Sequence, residues 1–173
     1  MADTLDVDHV GNDPVPSAFP NGCHIAEVEV DPETGRAQVV RYNAVNDFGT
    51  VINPMLVEGQ IQGGVVQGLG QALLEEAVYD SDGQLVTGSF MDYAMPHAHD
   101  VPMIALANHP VPTKSNPLGA KGCGEAGTTG GLCAVTNAVV NALSDLGIRH
   151  IEMPMTPARI WQAIEEAKRK RPA

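Results

Sequence analysis

Gly59, Gly63, Gly64, Gly68 and Gly70 all fall inside a stretch, Pro54 to Ala77, that otherwise reads as one helix. Its apolar positions are Leu56, Val57, Ile61, Val65, Val66, Leu69, Leu73 and Leu74. Each interior glycine costs a helix about 1 kcal/mol relative to alanine. A chain that carries so many needs a compensating contact, and very close approach of another backbone or of a ligand would supply it. Asn53 is placed to cap this helix, with Pro54 at its first position. The run Gly63 to Gly70 imitates a dinucleotide fingerprint, but the strand–turn–helix order and the ribose-binding acid are missing. No Gly-Lys-Ser/Thr follows either, so it is not a phosphate-binding P-loop.

The other elements follow from shorter patterns. Asp3, Asp6, Asp8, Asp13, Pro14, Pro16 and Pro20 make residues 1–20 an irregular lead-in. Ala26, Val28 and Val30 alternate with Glu27 and Glu29, Asp31 to Gly35 reads as a turn, and Val39 to Val45 continues as a second strand, with Asn46 to Gly49 breaking it. Gln84–Phe90, Met103–Ala107 and Ile148–Met153 read as further short strands. Leu132, Val135, Val139, Val140 and Leu143 recur at helical spacing, with Gly147 at the C′ position. Thr156-Pro157 opens a last helix with Ile160, Trp161 and Ile164 on one face. His97, His99 and Asp100 raise a metal question, but prolines bracket them in a loop without a fixed face, and solvated side chains are the better reading.

Composition narrows the function classes. The chain has 173 residues, 43% of them hydrophobic and 4% aromatic, enough for one domain with a core of Val, Leu, Ile, Ala and Met. The formal net charge of −11 argues against nucleic acid and against an anionic membrane surface. Lys168 to Arg171 reads as a solvated helix end, leaving 168–173 as a basic tail. Cys23, Cys123 and Cys133 match no zinc, iron–sulfur or disulfide spacing. With no signal-peptide pattern and no membrane-length apolar run, a cytoplasmic location is expected.

The chemistry-bearing stretch is Lys121-Gly122-Cys123-Gly124-Glu125-Ala126-Gly127-Thr128-Thr129-Gly130. A lone carboxylate among glycines, just before a helix, could be a general base beside a ligand held by backbone N–H groups. It could equally be a helix N-terminal charge that complements the dipole.

Several separated motifs share an order. Asp47-Phe48-Gly49, Ile52-Asn53-Pro54, Glu58-Gly59-Gln60, Gly63-Gly64, Gln67-Gly68-Leu69-Gly70, Gly88 to Tyr93, Asn116 to Gly119 and Lys121 to Glu125 run in sequence, ending with Met153-Pro154-Met155-Thr156-Pro157. In this order they resemble the C-terminal part of the molybdopterin-binding large subunit of the molybdenum hydroxylases. That family includes xanthine dehydrogenase, aldehyde oxidoreductase and the carbon monoxide dehydrogenase large chain.

The resemblance implies an α+β fold with mixed strands, a β-hairpin and three main helices, the cofactor-binding portion spanning 21–167. It implies a molybdopterin cofactor, in which a dinucleotide form is allowed, with iron–sulfur clusters and FAD on partner chains or domains. It implies hydroxylation of an aldehyde or N-heterocycle carbon with water-derived oxygen, Glu125 acting as general base beside the molybdenum. A metal acidifies the attacking group, so a modest base suffices. Gly122 and Gly124 would bring the loop backbone to the cofactor, Gln60 would hydrogen-bond its pterin side, and Lys121 and Gln67 are further cofactor contacts. No residue here is expected to ligate the metal.

The family subunit is several-fold longer, and its other cofactor-binding segments lie upstream of the matching part. The chain is therefore expected to be a split subunit or fragment, inactive alone, that works with the remaining molybdopterin-binding segments and with iron–sulfur and flavin subunits. Ala126-Gly127-Thr128-Thr129 departs from the Pro-Pro of xanthine dehydrogenases and sits nearer bacterial aldehyde or heterocycle oxidoreductases. The alternative is a non-catalytic interaction domain that keeps the fold without its cofactor.

Overall fold

The computed structural model describes residues 17–170. Most of the acidic, proline-rich lead-in thus lies outside the described residues, as does 171–173 of the basic tail. Strand β1 (Asn21–Val30) and strand β2 (Ala37–Asp47) form the expected hairpin, antiparallel from Asn21 opposite Asp47 to Val30 opposite Ala37. Asp31 organises the turn by accepting hydrogen bonds from the Thr34 hydroxyl (2.7 Å) and the Glu33 amide (2.9 Å). These bonds, Thr34 first, hold its carboxyl below the ordinary range. Gly35 closes the turn at φ 73, and a β-carbon there would also meet the Pro157 carbonyl and lie 2.7 Å from the Trp161 nitrogen.

The register slips once, where Glu27 faces Arg41 but Val28 faces Val39, leaving Val40 as a bulge. Strand β3 (Ile104–Asn108) completes the sheet, parallel to β2 with Tyr42 opposite Ile104. Helix α1 (Pro54–Leu73) begins as expected: the Asn53 side chain accepts from the Leu56 amide at 3.2 Å. It stops short of Ala77, where the Leu74 and Glu75 amides both fold back to the Gly70 carbonyl at 2.8 Å.

Helix α2 (Ala126–Ala142) lies against α1. A β-carbon on Gly64 would sit 2.9 Å from Gly127 Cα, one on Gly68 2.5 Å from the Leu132 nitrogen, and one on Gly131 3.0 Å from Val65 Cα. Glycines spaced four apart on each helix therefore let backbone meet backbone. That contact is the compensation which Gly64 and Gly68 required. Gly59 and Gly63 differ, since a β-carbon on either meets nothing within 4 Å.

Helix α3 (Pro157–Lys170) buries Ile160 and Ile164 completely, whereas Trp161 is 42% exposed and does not share their burial. Lys168, Arg169 and Lys170 form its last turn, beside the negative end of the dipole.

Three expectations need correction. Gln84–Phe90 forms no strand, and its ladder contact among the described residues is a single bridge between Tyr79 and Leu85. A strand needs a partner along its length, and here the pairing is confined to the turn, where the Gln84 amide donates to Asp80 Oδ1 and the Val86 amide to the Val78 carbonyl. Ile148–Met153 is likewise no strand, although Ile148 and Ile151 are buried in the core. Gly147, at φ 80, closes a short 3-10 turn (Ser144–Leu146) that follows α2, not α2 itself.

Candidate functional site

The loop that leads to Glu125 is held from both sides. Its first residue, Lys121, donates its backbone N–H to the Phe48 carbonyl (2.9 Å) and its ammonium to Asp47 Oδ2 (2.6 Å). Both side chains of this pair are largely buried, at 10% and 12% exposed. Asp47 Oδ1 accepts the amides of Gly49 and Val111, each at 2.9 Å. These bonds, that from Lys121 first and then those from Val111 and Gly49, hold its carboxyl down at about 2. Asn116 brackets Ala120 through both its amide atoms, and the Thr50 amide donates to the Gly119 carbonyl, so the whole segment before the loop is stitched to the end of β2.

The far end is pinned by α1, where Gln60 Nε2 donates to the Gly124 carbonyl at 2.7 Å. Between the pins, Cys123 packs against the core, whereas Gly122 and Gly124 border open space in which no atom would meet a β-carbon within 4 Å. Glu125 then takes the N-cap position of α2, but its side chain caps nothing. Among the described residues its carboxylate makes no hydrogen bond and no ion pair.

A cleft of about 520 Å³ opens there. Gly122, Gly124, Glu125 and Thr129 line one side of it, and His24 and Asn46 the other. Among the described residues no lysine or arginine lines it. The His24 ring lies against Gly130 and meets Tyr42 edge-on at 5.7 Å. Its Nδ1 is 2.8 Å from the Tyr42 hydroxyl and its Nε2 is 3.1 Å from Asn46 Oδ1. The network is self-consistent when Tyr42 donates to Nδ1 and the protonated Nε2 donates to Asn46. Burial, and after it the neighbouring Cys133, pushes the Tyr42 hydroxyl well above its ordinary range. Asn46 is only 2% exposed, yet its amide nitrogen has no partner among the described residues.

The structure thus brings Gly122, Gly124 and Glu125 to one cleft and attaches Gln60 to it through the Gly124 carbonyl. Gln67 sits further along α1, where its Oε1 accepts from the Thr128 hydroxyl at 3.1 Å. The Lys121 ammonium is committed to Asp47. Sequence reasoning missed His24, Asn46 and Asp47. The hairpin register was the available signal, because it sets Gly22 opposite Asn46 and His24 opposite Ala44. His97 and His99 stack at 5.5 Å beside Asp100, exposed to solvent. Among the described residues no group of three or more His, Cys, Asp or Glu side chains could hold a metal ion.

The sheet, the glycine-packed helix pair and the cleft between them are those of a cofactor-binding domain. The family model of the molybdopterin cofactor-binding domain matches residues 4–102, and the chain belongs to that family. Its relatives are molybdenum-dependent oxidoreductases. It is 36% identical over 154 residues to the carbon monoxide dehydrogenase large chain of Hydrogenophaga pseudoflava, an alignment covering 89% of this chain and 19% of that protein. It is 43% identical over 145 residues to the nicotine 6-hydroxylase large subunit of Paenarthrobacter nicotinovorans, covering 84% of this chain and 18% of that one.

Among solved structures, quinoline 2-oxidoreductase from Pseudomonas putida 86 superposes with a TM-score of 0.80 at 45% identity, over 86% of this chain and 18% of that one. Reconstituted CO dehydrogenase from Oligotropha carboxidovorans superposes with a TM-score of 0.86 at 36% identity, over 90% and 19%. The chain therefore spans about a fifth of the length of these proteins. No helix among the described residues is long and apolar enough to cross a membrane.

Proposed function

We propose that the chain forms the general-base wall of a molybdenum hydroxylase site that oxidises an aldehyde or N-heterocycle carbon, with Glu125 as the base. The observation that carries this reading is the Glu125 carboxylate, which among the described residues stands unpaired on a pinned glycine loop, in a cleft that none of their lysines or arginines lines. The residues present fit such a cofactor. Gly122 and Gly124 leave backbone facing open space, and the unpartnered Asn46 amide lies in the wall opposite. When bound, the molybdenum cofactor supplies the two-electron redox chemistry. Glu125 accepts a proton at its carboxylate as the water-derived nucleophile attacks, and the glycine loop and Gln60 hold that carboxylate in place.

In this reading the chain acts with further molybdopterin-binding segments and with iron–sulfur and flavin partners. Two observations support it: the fivefold greater length of the relatives and the apolar side chains left in solvent. Phe90, Met91 and Met103 are 84%, 96% and 91% exposed, and large apolar side chains so fully in solvent fit positions that a partner covers.

The test is to purify the native assembly containing the chain, measure its molybdenum, and follow dye reduction with aldehydes and heterocycles. Glu125→Gln should keep the metal and lose at least ~100-fold in turnover. Full turnover in the metal-loaded variant would remove Glu125 from the base role. A folded assembly that never contains molybdenum would leave only a structural domain.

A further inference from the structure

Among the described residues Glu125 is unpaired, although a lysine lies four residues before it in the same loop. An exposed ammonium so near in sequence would be drawn to that carboxylate, since opposite charges a few ångströms apart attract even near a protein surface. The structure shows where the ammonium goes instead. Lys121 Nζ is 2.6 Å from Asp47 Oδ2 and only a tenth exposed, and the lysine backbone is tied to the next residue, Phe48.

Asp47 is held in turn by the amides of Gly49 and Val111, so the carboxylate that receives the lysine is itself fixed. Among the described residues the titratable groups lining the cleft are then Glu125 and His24, and both ring nitrogens of His24 are already engaged by Tyr42 and Asn46. Thr129 and Gly130 of α2 and Gly122 of the loop add no charge.

We propose that Asp47 is a positioning residue that captures Lys121 and thereby keeps the Glu125 carboxylate free for the cleft. The role rests on the reading of Glu125 as the base, but it makes a separate claim about which carboxylate the lysine meets. Asp47→Asn keeps the size and one acceptor oxygen of the side chain while removing its charge. The freed ammonium then swings to Glu125, and the base is lost to an ion pair. Removing the lysine as well, in Asp47→Asn/Lys121→Met, removes the competitor.

Zero-length carbodiimide cross-linking of the full chain, read by peptide mass spectrometry, tests this without any cofactor. The unmodified protein should give a 47–121 cross-link and an externally labelled Glu125. Asp47→Asn should give a 121–125 cross-link and a several-fold drop in labelling of Glu125 by an added amine, and the double variant should recover that labelling. In the metal-loaded assembly, Asp47→Asn should lower kcat at least tenfold with KM little changed, and the double variant should regain most of it.

The proposal is overturned if Asp47→Asn leaves Glu125 labelling unchanged and yields no 121–125 cross-link. It is also overturned if the double variant stays as impaired as the single one. The base reading fails separately, through full turnover in Glu125→Gln, whatever the cross-links show. Should Asp47→Asn not fold, the unmodified protein carries the test: a 121–125 cross-link in place of the 47–121 one, or a Glu125 that an added amine does not label, overturns capture.

Discussion

The amide of Gln60 donates to the carbonyl of Gly124 at 2.7 Å, joining α1 to the residue before Glu125 across 64 positions of sequence. Gln60 is exposed, so this contact holds the loop without filling any core volume. Gln60→Ala should therefore lower stability by no more than about 1 kcal/mol. It should, however, speed hydrogen exchange of the 122–127 amides. Unchanged exchange there would show that the bond does not restrain the loop.

The glycine contact makes a paired prediction. Gly64→Ala or Gly68→Ala places a methyl group against the α2 backbone and should destabilise by about 1–3 kcal/mol despite the better helix propensity. Gly63→Ala meets open space and should instead stabilise by up to about 1 kcal/mol. Denaturant midpoints of the three variants, compared at equal m, decide the matter. Equal shifts in all three would mean that helix propensity alone governs them.

Asp47 gives a pH dependence with a definite sign. Its folded carboxyl lies at about 2 against an ordinary 3.8, so its contribution is fully present above pH 4 and is lost as pH falls from about 4 to 2. Acid titration of unfolding should show a segment of falling stability in that window, and Asp47→Asn should flatten it. An identical acid limb in both proteins would mean that the ion pair contributes nothing.

Tyr42→Phe removes the donor to His24 Nδ1 and leaves a half-buried acceptor at the edge of the cleft. A loss of about 1 kcal/mol is expected. Nitrogen-15 shifts of the His24 ring should change tautomer populations at the same time. A ring spectrum that does not respond would rule out the assigned direction of the bond.

What could be read from the chain alone was the local part of the structure. Alternation fixed the β1–β2 hairpin, Asn53-Pro54 marked the start of α1, and Ile160 with Ile164 located the buried face of α3, because each signal sits within one turn or one strand pair. The strands expected at Gln84–Phe90 and Ile148–Met153 failed because a strand needs a neighbour, and apolar composition does not say whether one arrives. The motif order drew attention to Glu125, Gln60 and Gly124, but not to the arrangement that frees the carboxylate. Asp47 and Lys121 are 74 residues apart, and nothing local to either residue announces the other. His24 looked like the first residue of a strand until the register set it beside Tyr42 and Asn46.

The turn of the first hairpin lies against the last helix, with Gly35 touching Pro157 and Trp161, and Ile160 and Ile164 are buried completely. Along this chain the hairpin turn is made long before the helix it rests against. A ribosome that stalls between Gly130 and Ile164 should therefore hold a nascent chain whose Glu125 loop is complete but whose two buried isoleucines are not both in place. The apolar positions they would cover are then a surface that chaperones recognise.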